Sequence, residues 1–162
     1  MTRQRAYTFI VSVVACVLAV AFIVRRKRLA SSRRTDIGSR PLQPVVGRVS
    51  QGYSSSHRAV DVAVAEGTEV RCPWDGTVTR VWDDNTYGGG LSMLVKHDNG
   101  FTTGYAHLSG YHFGSGGRVL QGQNLALTGN SGSHSTGPHL HFTLRDASGV
   151  KIDPTEHFSF NN

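Results

Sequence analysis

Residues 139–145 read His-Leu-His-Phe-Thr-Leu-Arg, and this stretch decides the fold. Leu140, Phe142 and Leu144 alternate with His139, His141 and Thr143. Strict alternation is the signature of a strand with one face in a core and one face in a polar setting. Working outward, the same period recurs along the second part of the chain. Val60, Val62 and Val64 alternate with Asp61, Ala63 and Ala65. Residues 69–72, 77–82, 92–97, 102–108 and 125–128 form further short apolar runs. Between them lie turn formers: Pro73-Trp74-Asp75-Gly76, Gly88-Gly89-Gly90 and Asp98-Asn99-Gly100. The last of these is a strong hairpin signal, because Asn and Gly tolerate the positive φ of a tight turn. Short strands at 8–12-residue spacing predict an all-β domain over 44–162, an antiparallel sheet or sandwich. No crossover helix is evident, which excludes a parallel α/β sheet.

Charge and hydropathy divide the chain. Residues 6–24, AYTFIVSVVACVLAVAFIV, carry no charge and are long enough to span a bilayer as a helix. This predicts a short flank at 1–5, a transmembrane helix at 6–24, a basic flexible tether at 25–43 and the β domain at 44–162. A cleavable signal peptide ending near Ala19-Val20-Ala21 is the alternative for the first segment. The 17 Lys and Arg against 11 Asp and Glu give a formal +6, but nine of the basic residues and only one acid lie in 1–43. The tail owns the positive charge, and beside an apolar span its partner is lipid rather than nucleic acid. Arg25, Arg26, Lys27, Arg28, Arg33 and Arg34 come after the span, against Arg3 and Arg5 before it. The positive-inside rule alone keeps the β domain in the cytoplasm. Cys16 and Cys72 give no disulfide framework, and Cys72 reads as a small buried residue.

All eight histidines fall after residue 44. His139 and His141 share one face of their strand, and Asp61 points away from the core-directed Val60 and Val62. His57 enters that same strand from the loop Ser54-Ser55-Ser56. Two imidazoles with one carboxylate make a nitrogen/oxygen donor set that zinc accepts, with a fourth position left for water. Without a metal, His57 and Asp61 would be a local hydrogen-bonded pair. In Tyr105-Ala106-His107-Leu108, alternation puts Tyr105 and His107 on one face and Ala106 and Leu108 on the other. His97, His112, His134 and His157 read as surface or structural residues.

Taken together, the ordered blocks at 56–61, 67–70, 75–78, 105–108, 129–132 and 135–142 resemble the LytM/lysostaphin-type zinc metallopeptidases, family M23. The resemblance covers about residues 44–157. It implies an antiparallel β-sheet with a groove over one zinc ion, held by His57, Asp61 and His141. It implies His107 and His139 as non-ligand catalytic residues that handle protons beside the metal. It further implies hydrolysis of peptide cross-links in bacterial peptidoglycan, with the domain facing the cell wall. That placement conflicts with the charge bias around the span; the membrane of a membrane-containing phage particle is one setting without the conflict. Two departures stand out: Ala59 where the family usually has glycine, and Thr143 where it commonly has glutamate. A non-catalytic wall-binding or activator domain of the same fold is the competing function.

Overall fold

The computed structural model describes residues 40–84 and 86–160; the apolar span and most of the basic tether predicted above lie outside the described residues. Eleven strands are described: β1 (Arg48–Gln51), β2 (Val60–Ala63), β3 (Glu69–Arg71), β4 (Gly76–Asp84), β5 (Gly90–His97), β6 (Thr102–Leu108), β7 (Gly110–Tyr111), β8 (Arg118–Val119), β9 (Asn124–Leu127), β10 (His139–Arg145) and β11 (Lys151–Ile152). One 3-10 turn, Pro154–Glu156, comes after β11, its amino end capped by the Asp153 side chain. Among the described residues no helix is long and apolar enough to cross a membrane.

The main sheet runs β1-β2-β10-β6-β5-β4-β8, with β11 added to β10. A smaller sheet runs β3-β9-β7. Every pairing is antiparallel. The Asp98-Asn99-Gly100 turn joins β5 to β6, with Gly100 at φ 93°. The all-β antiparallel expectation for the domain is therefore what the described residues adopt. The two-residue strands β7, β8 and β11 carry too few residues to announce themselves by period, and β1, RVSQ, has one apolar residue among its four.

One core cluster takes residues from both sheets. Val60, Val62, Val95, Leu140, Phe142 and Leu144 come from the main sheet, and Val70, Leu125 and Ala126 from the smaller one, all with no exposed surface. Each fully buried Leu, Val or Phe contributes about 1.5–3 kcal/mol by removal from water. Phe142 packs on Tyr105, Phe158 and Phe160. Because period 2 commits Leu140, Phe142 and Leu144 to this core, His139, His141, Thr143 and Arg145 are committed to the opposite face.

Polar atoms are also buried in the core, those of Cys72 and His97 among them. The Cys72 thiol lies 2.9 Å from the Trp74 carbonyl, and burial pushes its pKa up to about 12, as expected of a small buried residue and not of a nucleophile. His97 is buried, with Nδ1 3.0 Å from the Trp74 carbonyl oxygen and Nε2 2.7 Å from the Thr103 hydroxyl, which lies 2.8 Å from the Tyr105 hydroxyl. Burial lowers its pKa to about 4, so the ring is neutral in the fold. It is structural, in agreement with the sequence reading.

Candidate metal centre

The polar face of the main sheet floors a groove of about 670 Å³. His141 lies opposite Asp61 in the β10–β2 register and opposite Ala106 in the β10–β6 register. Directly opposed residues of an antiparallel pair share a face, so alternation alone brings His141 and Asp61 together. His57 arrives from the loop before β2. That loop is closed by the Ser54 N–H on the His57 carbonyl at 2.8 Å and the His57 N–H on Ser54 Oγ at 3.0 Å. Ala59 is fully buried and lies outside the left-handed region, so its methyl group fits here without the freedom of glycine.

Ligand atoms of His57, Asp61 and His141 lie within 4.8 Å of one another. Asp61 Oδ1 is 2.8 Å from His141 Nδ1, and Asp61 Oδ2 is 3.2 Å from His57 Nε2. His57 Nδ1 is 3.0 Å from the Gly52 carbonyl oxygen, which can only accept, so the proton of the neutral ring sits on Nδ1. Nε2 then presents a lone pair to a carboxylate oxygen. It is buried and finds no hydrogen-bond donor. Two acceptors facing each other at that distance repel unless a cation lies between them. Two zinc-bound donors with bonds of roughly 2.0–2.2 Å lie about 3.3–3.6 Å apart, close to the 3.2 Å between His57 Nε2 and Asp61 Oδ2, whereas the 2.8 Å between Asp61 Oδ1 and His141 Nδ1 is a hydrogen-bond distance. The donor set therefore fits zinc. Burial raises the Asp61 pKa, but the His141 hydrogen bond and the attraction of the surrounding imidazoles whenever they carry a proton outweigh it, and the carboxyl is held below its ordinary value.

His139 and His107 complete the cluster, with ring centroids 4.7 Å apart. His139 Nδ1 is 2.8 Å from the Gly137 carbonyl oxygen, and Nε2 is 3.9 Å from Asp61 Oδ1. His107 Nδ1 is 2.8 Å from the Ser131 carbonyl oxygen. Three histidines thus have Nδ1 pinned by a backbone carbonyl, which fixes the tautomer and aims Nε2 inward. Burial is the largest cause holding the His107 pKa below its ordinary value.

The expected face-sharing of Tyr105 with His107 is corrected by the structure. Leu91 pairs with Leu108 and Met93 with Tyr105, so β6 spends one extra residue over that interval. The excess is a β-bulge, and His107, at φ 62°, is the one non-glycine residue with positive φ among those described. Tyr105 and Leu108 stay in the core, whereas Ala106 and His107 both line the groove. Two glycine-rich loops hold the bulge. The Gly89 carbonyl accepts from the His107 N–H at 2.9 Å, and a Cβ on Gly129 would lie 2.8 Å from the His107 oxygen. The Ser131 hydroxyl donates to the Leu108 carbonyl at 2.7 Å and accepts from the Leu91 N–H at 3.1 Å.

The remaining groove floor is small. Gly104 faces Thr143, and a Cβ there would meet Thr143 Oγ1 at 2.4 Å. Thr143 is thus part of the floor. Arg80, Trp82, Tyr87, Arg145 and Lys151 also line the groove, with the Arg80 guanidinium over the Trp82 ring. His134 stands at the edge over Gly88. His112 and His157 are exposed, in line with the sequence reading.

The sequence model of Peptidase family M23 matches residues 55–154, more than half of the chain. An uncharacterized metalloprotease of Haemophilus influenzae is 40% identical over 111 residues, 68% of this chain and 22% of that protein. The peptidoglycan DD-endopeptidase ShyA of Vibrio cholerae is 37% identical over 110 residues, 68% of this chain and 24% of that protein. The chain therefore spans about a quarter of the length of these curated relatives. A crystal structure of a zinc-containing peptidase from Vibrio cholerae superposes with a TM-score of 0.63 at 26% identity, covering 70% of this chain and 37% of that one.

Proposed function

Because the chain belongs to peptidase family M23, we propose that it is a zinc endopeptidase that hydrolyses peptide cross-links of bacterial peptidoglycan. The observation that carries this reading is the convergence of His57 Nε2, the Asp61 carboxylate and His141 Nδ1, with two further carbonyl-anchored histidines beside them. Similarity to a DD-endopeptidase supports the peptidoglycan substrate.

His57, Asp61 and His141 would hold one zinc ion. When bound there, zinc supplies a Lewis acid and lowers the pKa of water from ~15.7 toward ~7. The protein's own residues do the rest. His107 and His139, each with Nδ1 committed to a carbonyl, offer Nε2 to take a proton from the attacking water. The protonated ring then donates at Nε2 to the developing oxyanion or the leaving amine. The groove floor, kept open by the small residues Gly104 and Ala106, admits an extended peptide.

The apolar segment 6–24 is proposed as a single membrane anchor, with 25–43 as tether and 44–162 as the peptidase domain facing the wall. Protease accessibility of the domain in intact and opened cells decides the side.

The catalytic reading is tested by digesting purified peptidoglycan with the full-length protein, with zinc or with chelator, and sequencing the released muropeptides. Zinc-dependent appearance of a new amino terminus at one cross-link bond is expected. A folded, zinc-loaded protein that releases none across several wall chemistries would leave a binding or activator role instead.

A further inference from the structure

The end of the groove away from the histidines holds two positive charges. Arg145 and Lys151 are register partners on β10 and β11, so they lie side by side on one face. Parity along β10 puts Arg145 on the face of His139, His141 and Thr143, and both cations line the groove. Arg58 is near enough to act on the same ammonium. Burial is the larger cause that lowers the Lys151 pKa, and Arg145 and Arg58 add to it. Among the described residues, none of the three is paired with a carboxylate. The neighbouring acids are occupied elsewhere. Asp146 accepts from the Ser148 and Val150 N–H groups in its own turn, and Asp153 caps the 3-10 turn. Arg145 donates from Nη1 to the Gly149 carbonyl, and the rest of its fork makes no hydrogen bond to protein among the described residues. Like charges set directly opposite each other destabilise a sheet, and partial burial adds to that cost. An anion bound between them would offset both.

We propose that Arg145 and Lys151 form a carboxylate subsite that binds a free acid group on the peptide substrate, two to four residues from the scissile bond. The distance comes from the strand. Arg145 lies four residues beyond His141, about 13 Å at ~3.3 Å per residue. An extended peptide lying along the groove spans that distance in about four residues, fewer where the long side chains reach back. A guanidinium fork beside an ammonium suits the two oxygens of a carboxylate. The proposal rests on the endopeptidase reading for its occupant, because the subsite continues the groove that carries the histidines.

The test uses two peptides identical except that one carries a free carboxylate at this position and the other a carboxamide. Binding to the full-length protein in detergent is measured by fluorescence anisotropy in the presence of chelator, so that hydrolysis does not intervene. The carboxylate form should bind about tenfold more tightly at low salt, with the ratio shrinking at high salt. Lys151→Gln and Arg145→Gln should each bring the ratio toward one, and Lys151→Glu should reverse it. If Arg145→Gln disturbs the turn through its lost bond to Gly149, the Lys151 variants carry the test. Equal affinity for the two peptides, no binding of either by the folded protein, or a ratio that neither position alters would overturn the subsite. Hydrolysis with zinc is read separately. A binding preference without hydrolysis of either peptide would defeat the endopeptidase reading and keep the subsite; hydrolysis of both with equal affinity would do the reverse.

Discussion

His107 Nδ1 sits 2.8 Å from the carbonyl oxygen of Ser131, and Ser131 is also the residue whose hydroxyl ties together Leu108 and Leu91. One residue therefore sets both the backbone of the bulge and the orientation of the ring it presents. Ser131→Ala removes the two hydroxyl bonds but keeps the carbonyl. It should cost about 1–2 kcal/mol in stability. Catalysis should fall roughly tenfold, since small displacements of a proton-handling group are costly. Parallel urea unfolding and kcat measurement separate the two effects, and zinc affinity should hold constant. Unchanged kcat in the alanine variant would deny Ser131 its positioning role.

The left-handed backbone at His107 makes a second, independent prediction. Asn tolerates positive φ and a β-branched residue does not. His107→Asn and His107→Val should both lose activity by about 10²–10⁴-fold. Only the valine variant should also lose about 1–2 kcal/mol of stability to strain. Equal stability of the two variants would mean that the bulge relaxes.

Gly104 and Thr143 face each other across β6 and β10, and a Cβ on Gly104 would stand 2.4 Å from Thr143 Oγ1. Gly104→Ala should destabilise by roughly 1–3 kcal/mol through overpacking, and raise KM by closing the groove floor. The double variant Gly104→Ala, Thr143→Ala should recover most of the stability, because it removes the clashing oxygen. Additive losses in thermal unfolding would show that the contact is not the cause.

His97 gives the pH dependence. Its folded pKa is lowered to about 4 from an ordinary 6.5. Between those values the unfolded chain holds more protons than the native one, so stability rises with pH. The contribution is complete above about 6.5 and is lost as pH falls toward 4, up to about 3 kcal/mol for this buried ring. Metal-free protein should therefore lose stability through that window, and His97→Gln should flatten the loss. A variant with the same pH profile as the parent protein would place the titration on other groups.

Much of this was legible in the sequence, for a physical reason. Period 2 in residues 139–145 commits Leu140, Phe142 and Leu144 to a core, which sends His139 and His141 to the other face. Val60 and Val62 place Asp61 in the same way. Asp98-Asn99-Gly100 marks its hairpin because few residue types accept that turn. The bulge at His107 was not legible. One extra residue in a strand leaves the composition unchanged and reverses the parity of every later position, so strict alternation misassigned Tyr105. Its traces were the glycines at 88–90, 129 and 132, whose close approaches only the folded chain explains. The carbonyls of Gly52, Ser131 and Gly137 carry no side-chain signal at all. Lys151 was missed because a two-residue strand has no period.

A zinc ion held as proposed would carry its own thermodynamic signature. At zinc 100-fold above Kd, binding to the folded chain alone adds about 2.7 kcal/mol, which for a domain of this size raises Tm by roughly 10 °C. His57→Ala should lose that shift, because the inward-facing Nε2 is gone. A zinc-dependent shift of equal size in His57→Ala would put the ion elsewhere.

The most direct measurement is a zinc titration of turnover. The full-length protein is stripped of metal, and hydrolysis of one defined cross-linked peptide is measured as zinc is added, beside His141→Ala. The expected result is no hydrolysis without metal, a rise that saturates at one zinc per chain, and no rise in the variant. Full hydrolysis by the metal-free protein, or a folded, zinc-saturated protein that leaves every cross-link intact, would contradict a zinc endopeptidase centred on His57, Asp61 and His141.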